Sequence, residues 1–246
     1  MQLSNNTILI TGGATGIGLS LAEEFLKLGN TVIICGRRES KLNETKQKYP
    51  SIHIRVCDVS KKNEREELSK WALTNFPELN ILINNAGIQR EVSFTSGSYN
   101  HEEVSKEIET NLTAPIHLSA LFTSQLIKQK QSAIINVSSG LGFTPIAIMP
   151  VYCATKAAIH SFSLSLRHQL SKTSVKVFEL IPPIVDTELD QGARDKRNQT
   201  DRGMKPAEFA MQAINALKED IYEAPIGMAA GLRQKREEMF PMLNRW

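Results

Sequence analysis

Thr7-Ile-Leu-Ile-Thr-Gly-Gly-Ala-Thr-Gly-Ile-Gly18 is the stretch that decides the fold. Thr7–Ile10 reads as a short buried strand, and it runs straight into a turn where Gly12, Gly16 and Gly18 are spaced G-x-x-x-G-x-G. This differs from the commoner G-x-G-x-x-G fingerprint, but the mechanics are similar. A strand, a turn free of bulky side chains and a helix start bring backbone N–H groups and the positive end of a helix dipole against a pyrophosphate. Thr15 and Ile17, which stand between these glycines, are expected to take part in binding. Glycine turns also precede helices that bind nothing, so the motif needs support from elsewhere in the chain.

Working outward, short apolar segments alternate with longer amphipathic ones. Thr31–Cys35, Ile52–Cys57, Asn80–Ile83, Ala133–Val137, Val175–Leu180 and Ile221–Ala224 read as strands, with helices between them that include Glu102–Lys130 and Val151–Ser171. Near-continuous apolar strands separated by helices predict a parallel sheet covered on both faces. The expected class is α/β: a Rossmann-like doubly wound sheet, strand order 3-2-1-4-5-6 with a seventh strand, and its crevice at the carboxyl ends of the strands. At 246 residues one domain, 1–246, accommodates the whole chain. Hydrophobic content of 41% and charged content of 22% are ordinary for a globular protein. No apolar run approaches ~20 residues and the N-terminus lacks signal-peptide character, so a cytoplasmic protein without a membrane span is expected. A net charge of +3 is too small and dispersed to argue for nucleic acid, and the basic run at Arg233, Lys235 and Arg236 reads as a solvated helix face. Cys35, Cys57 and Cys153 show no metal or redox spacing and read as free thiols, of which Cys153 alone merits a reactivity test.

In mid-chain, Val151-Tyr-Cys-Ala-Thr-Lys156 places Tyr152 and Lys156 four apart, with Ser139 thirteen residues before the tyrosine. On a helix that spacing puts phenol and ammonium on one face. A phenol with its ordinary pKa near ~10 is about three units too weak an acid for proton exchange at neutral pH, a gap of roughly 4 kcal/mol. One cation ~4 Å away contributes on the order of 4 kcal/mol at an effective dielectric of ~20, so a neighbouring ammonium nearly closes it. The pair alone arises often by chance.

The glycine turn and the Ser139, Tyr152, Lys156 set together resemble the classical short-chain dehydrogenase/reductase family. Further matching elements stand in family order: Cys57-Asp58-Val59, Asn84-Asn85-Ala86-Gly87, Asn111 within Glu109–Thr113, Asn136-Val-Ser-Ser139, and Pro182 followed by Val185 and Thr187. Within the family, Ile10–Gly18, Val32–Arg38 and Leu180–Thr187 look like the DltE-type oxidoreductases. The resemblance implies an oxidoreductase that transfers hydride between a nicotinamide and a carbonyl or secondary alcohol. Tyr152 would then be the acid/base, Lys156 would tune the phenol and reach the cofactor ribose, Ser139 would donate to the substrate oxygen with Ser138 as the alternative, and Asn111 would hold a water in a proton path. It also implies that Asp58 and Val59 meet the adenine, that Asn85, Ala86 and Gly87 line the cofactor floor, and that Pro182, Val185 and Thr187 approach the nicotinamide. Asn85 is open to a second role, holding strands together. The competing reading is a dinucleotide-sensing binding protein without turnover, which the intact Ser139, Tyr152, Lys156 and Asn111 set disfavours because a sensor needs no acid.

After the second strand comes Ile34-Cys-Gly-Arg-Arg38, with Gly36 where an NAD-selective enzyme carries an acid. Arg37, and secondarily Arg38, can fork onto a 2′-phosphate, so NADP is expected over NAD. The polar segment 186–205 follows the sixth strand and is expected to be a substrate lid. Ile181-Pro-Pro183 departs from the family's usual Asn-Pro-Gly and stiffens its approach. Gly140–Val151 is apolar and with Gln89 and Phe94 is expected to wall a substrate pocket; Phe143 and Met149 are equally open to core or subunit contact. No metal is expected. The resemblance implies a homodimer or homotetramer.

Overall fold

The structure, a computed structural model, describes residues 1–97, 99–189 and 202–245. Seven parallel strands lie in the order β3-β2-β1-β4-β5-β6-β7. They are β1 Thr7–Thr11, β2 Thr31–Gly36, β3 His53–Val56, β4 Ile81–Asn84, β5 Ser132–Val137, β6 Val175–Ile181 and β7 Glu223–Pro225. Each expected strand is present, with its ends moved by a residue or two. β1 and β4, both central, are buried along their whole length, whereas edge strand β3 is half open to solvent.

The helices are α1 Gly16–Lys27, α2 Glu39–Lys48, α3 Lys62–Asn75, α4 His101–Ile108, α5 Ala114–Lys128, α6 Pro150–Gln169, α7 Pro206–Lys218, and the short α8 Ala229–Lys235 and α9 Phe240–Leu243. Successive side chains of a strand face opposite sides. Ile8, Ile10, Ile34, Ile83 and Ile135 accordingly pack with Leu21 and Phe25 of α1 and with Phe209, Ala213 and Leu217 of α7. Leu9, Ile33, Leu82 and Ile134 pack on the other face with Leu68 of α3 and with Leu118, Phe122 and Leu126 of α5. Burying both faces this way is what makes an all-parallel sheet stable, and it puts every strand's carboxyl end on one rim.

One expected element is corrected. Glu102–Lys130 is not a continuous α-helix, because a π-helical turn at Glu109–Thr113 interrupts it. The ordinary helical bond to the carbonyl of Asn111 would come from residue 115, and Pro115 has no N–H to give. The widened turn contains Asn111, which fits the frequent occurrence of such turns at functional sites. Among the described residues, no helix is long and apolar enough to cross a membrane.

Candidate active site

At the rim, β1 delivers the glycine turn. Gly12 has φ of +65°, a left-handed conformation, and a β-carbon there would lie 3.0 Å from the Cα of Ala86. At Gly18 the same addition would collide with the carbonyl oxygen of Gly12 and the amide of Asn85. Asn85 proves to be a clamp: its Nδ2 donates to the carbonyls of Thr11 and Gly12 at 2.9 and 3.1 Å. Thr11 returns the grip, its Oγ1 accepting from the amides of Asn85 and Ala86, both at 3.0 Å. The turn between β1 and α1 is thereby locked to the end of β4. Thr15 precedes Gly16 and Ile17 in extended conformation, and no side chain caps the first amides of α1 nor does any acid stand in its first turn. Those amides and the dipole suit an anion, so the residues present fit a dinucleotide pyrophosphate.

At the end of β2, Arg38 rather than Arg37 turns toward the glycine turn. Its Nη2 donates to Thr15 Oγ1 at 3.2 Å while Nη1 pairs with Glu188 at 2.7 Å. Arg37 instead acts on Asp58. Burial opposes ionisation of Asp58, but the Ser60 hydroxyl and amide together with the Arg37 charge hold its carboxyl below the ordinary value. Val59 is buried and its carbonyl accepts from Arg65 at 2.6 Å.

The side chains expected to react come from the turn after β5, the π-turn and α6. Asn111 is buried; its Oδ1 accepts from the Ile88 amide at 2.9 Å and its Nδ2 donates to the Ile88 carbonyl at 2.8 Å. Lys156 donates from Nζ to the Val137 carbonyl at 2.9 Å and lies 5.6 Å from the centre of the Tyr152 ring. Gly87 joins the two halves of the site. A β-carbon there would lie 3.5 Å from Asn111 Oδ1 and 3.7 Å from Lys156 Nζ. Burial lowers the Lys156 pKa to about 8 against the opposing pull of Glu179 and Glu107.

Ser139 caps a short 3₁₀ turn, Gly140–Gly142, its Oγ accepting from the Leu141 amide at 3.1 Å. Ser138 is fully engaged elsewhere, donating at 2.5 Å to Glu179, whose other oxygen meets His160 Nδ1 at 2.8 Å. Pro182 accepts from the Gly140 amide at 3.0 Å, and the Thr187 methyl lies against Gly16, so the strip after β6 links the serine turn to the glycine turn. Val185 pairs with Met204 and Lys205 with Asp186 at 2.7 Å, which brings together the two ends of the expected lid; its span 190–201 lies outside the described residues.

The expected substrate wall divides. Tyr152, Met149 and Cys153 pack with Leu141, Ile146 and Ile148, and Gln89 reaches the Met149 sulfur at 2.8 Å. Phe143 turns away into the core beside Ile181 and Ala229, its ring edge-on to His160. Phe94 is exposed and stacks on Tyr99. Burial pushes the Cys153 thiol up to about 11, which leaves it inert near neutral pH. A groove of about 440 Å³ bounded by Thr15, Gly16, Lys41, Tyr49 and Thr187 opens on the α1–α2 side of the glycine turn and includes none of Ser139, Tyr152 and Lys156. Ser139, Tyr152 and Lys156 lie away from this groove, with Lys156 Nζ beside Gly87.

Three residues escaped the sequence reading: Thr11, Glu107 and Glu179. A carboxylate inside the apolar run Val177-Phe-Glu-Leu-Ile181 is a visible signal of a buried polar network. The role of Thr11 depends on a neighbouring strand and carries no local signal.

A family model described as short chain dehydrogenase matches residues 6–198. The chain is 54% identical over 248 residues to the uncharacterized oxidoreductase DltE of Bacillus subtilis (strain 168), covering 99% of this chain and 98% of that one. Among solved structures, a short-chain dehydrogenase from Sphingobium yanoikuyae in complex with NADPH superposes with a TM-score of 0.83 at 26% identity, covering 93% of each chain. One from Burkholderia phymatum in complex with NAD shares the fold with a TM-score of 0.86 at 20% identity, covering 100% of this chain and 97% of that one. With the sheet order, the glycine turn and the relatives in agreement, this chain belongs to the short-chain dehydrogenase/reductase family of oxidoreductases.

Proposed function

We propose that the protein is an NADP(H)-dependent oxidoreductase that interconverts a carbonyl and a secondary alcohol, with Tyr152 as acid/base. The observation that carries this reading is the position of Lys156 Nζ, 5.6 Å from the Tyr152 ring centre and a methyl's reach from Gly87. One ammonium is thus near enough to make the phenol acidic, and the same group would hold the cofactor ribose. A bound reduced nicotinamide supplies the hydride. Tyr152 gives its phenolic proton to the substrate oxygen in reduction and takes it back in oxidation. Ser139 donates to that oxygen as charge develops, and Ser138, spent on Glu179, is set aside. Asn111 fixes the 88–90 strip and carries the water of the proton path. Gly12, Thr15, Gly16, Ile17 and Gly18 hold the pyrophosphate, Asp58 and Val59 the adenine, and Pro182, Val185 and Thr187 the carboxamide side.

The preference for NADP over NAD is supported by Gly36, which removes the acid that would repel a phosphate, and by the Arg38 fork already on Thr15. Segment 186–205 serves as the lid. The protein works in the cytoplasm as a homodimer or homotetramer, for which exposed Ile108, Ile116 and Leu164 offer apolar surface. The test is loss of absorbance at the reduced nicotinamide band with a panel of ketones and diketones. Tight NADPH binding without turnover on any of them would overturn the proposal.

A further inference from the structure

Glu107 is fully buried on α4, and among the described residues neither of its carboxyl oxygens has a partner at full hydrogen-bond geometry, although the Arg90 main-chain N–H pulls on the carboxyl more than any other group. The buried Nε of Arg90 is likewise without a partner there. A buried carboxyl left in this state costs a few kcal/mol unless water or function accounts for it. Its position is specific. Glu107 stands four residues before Asn111, whose amide pins both main-chain groups of Ile88 and so fixes the strip that carries Arg90. The groups acting on Glu107 are Arg90 from the β4–α4 connection and Lys156 from α6, and the Cys153 thiol on α6 responds to it in turn.

We propose that Glu107 is a positioning residue that relays protons: through bridging water beside Arg90 it exchanges a proton between solvent and Lys156, and so recharges Tyr152. This rests on the reading of Tyr152 as the acid. After each carbonyl reduction an N–H bond of the Lys156 ammonium breaks and the O–H of the Tyr152 phenolate forms, leaving Lys156 neutral. The Glu107 O–H bond then breaks as an N–H bond re-forms on Lys156, and Glu107 takes one proton from solvent. Oxidation runs the same transfers backward, and no electrons pass through Glu107. Burial pushes the Glu107 carboxyl up to about 7 against the pull of Arg90 and Lys156, close enough to the Lys156 value of about 8 for exchange near neutrality.

The test has an arm that needs no turnover. In the cofactor-free protein, infrared difference spectra taken across pH 7 should show a protonated carboxyl band that Glu107→Gln removes; a band unchanged by the substitution overturns the proposal. In the NADPH-loaded enzyme, Glu107→Gln should lower kcat about a hundredfold, the low end for a proton-transfer group, with KM and NADPH affinity unchanged and the solvent isotope effect enlarged. Glu107→Asp should restore part of it. Wild-type kcat, pH profile and isotope effect in Glu107→Gln, or in the apolar Glu107→Leu should the first variant fail to fold, overturn the relay. Activity retained in Tyr152→Phe would instead remove the acid itself, an outcome the infrared arm keeps distinct.

Discussion

Lys156 donates from its ammonium to the carbonyl oxygen of Val137 at 2.9 Å, so the charge it sets 5.6 Å from the Tyr152 ring centre is tied to the last residue of β5. That bond aims the ammonium but does not repay its burial. The pKa falls from 10.5 to about 8, which corresponds to roughly 3 kcal/mol at neutral pH. Replacing Lys156 by Met should abolish turnover and, after forfeiting about 1 kcal/mol for the lost hydrogen bond, stabilise the fold by up to about 2 kcal/mol. Chemical denaturation at neutral pH checks this; a destabilised Met variant would contradict it.

The same shift sets a pH dependence. A lysine whose folded pKa is lowered binds fewer protons folded than unfolded between about 8 and 10.5, so stability rises with pH across that window. Glu107, raised from 4.5 to about 7, binds more protons folded than unfolded, so its contribution falls as pH climbs from 4.5 to 7. The melting temperature should therefore pass through a shallow minimum between about 7 and 8 in the absence of other titrations. Lys156→Met should flatten the alkaline limb and Glu107→Gln the acid limb, and scanning calorimetry over pH tells them apart.

The parts of this site that sequence revealed are those whose geometry is local. Gly12, Gly16 and Gly18 must be glycines for a turn that their own spacing defines, and Tyr152 and Lys156 share a face of α6 because they are four apart. The strand order followed from the alternation of apolar runs with helices. What stayed hidden depends on tertiary partners. The bonds that hold the Asn111 side chain to Ile88, twenty-three residues away in sequence, carry no local signal. Phe143 lies in an apolar stretch that reads equally as wall or core, and it joins the core because Ile181 and Ala229 arrive from elsewhere in the chain. That Arg38 reaches Thr15 depends on the placement of the glycine turn and of Glu188, which no local pattern shows.

Gly18 packs so closely on the Gly12 carbonyl and the Asn85 amide that Gly18→Ala forces the turn open. Overpacking of this kind costs about 1–3 kcal/mol. Because the displaced groups belong to the anion cradle, dinucleotide affinity should fall with stability, for NADH and NADPH alike. Isothermal titration on the folded fraction checks the pairing, and unchanged affinity for both would remove the cradle from this turn.

Arg38 and Glu188, both about half exposed, form an ion pair that a 2′-phosphate would have to share. Exposed pairs of this kind are worth about 0–1 kcal/mol, so a phosphate with two formal contacts to the guanidinium displaces the carboxylate readily. Arg38→Ala should then weaken NADPH by ten- to a hundredfold, as the loss of about 1.5–3 kcal/mol in charge-assisted hydrogen bonds implies, while NADH changes little. Arg37→Ala should have a smaller effect, through the released charge on Asp58. Glu188→Gln removes a carboxylate facing the incoming phosphate and should tighten NADPH a few-fold without touching NADH. Fluorescence titration with both nucleotides reads all three variants. Equal losses for NADH and NADPH in Arg38→Ala would defeat the phosphate assignment, and a larger selective loss in Arg37→Ala would return the role to the neighbouring arginine.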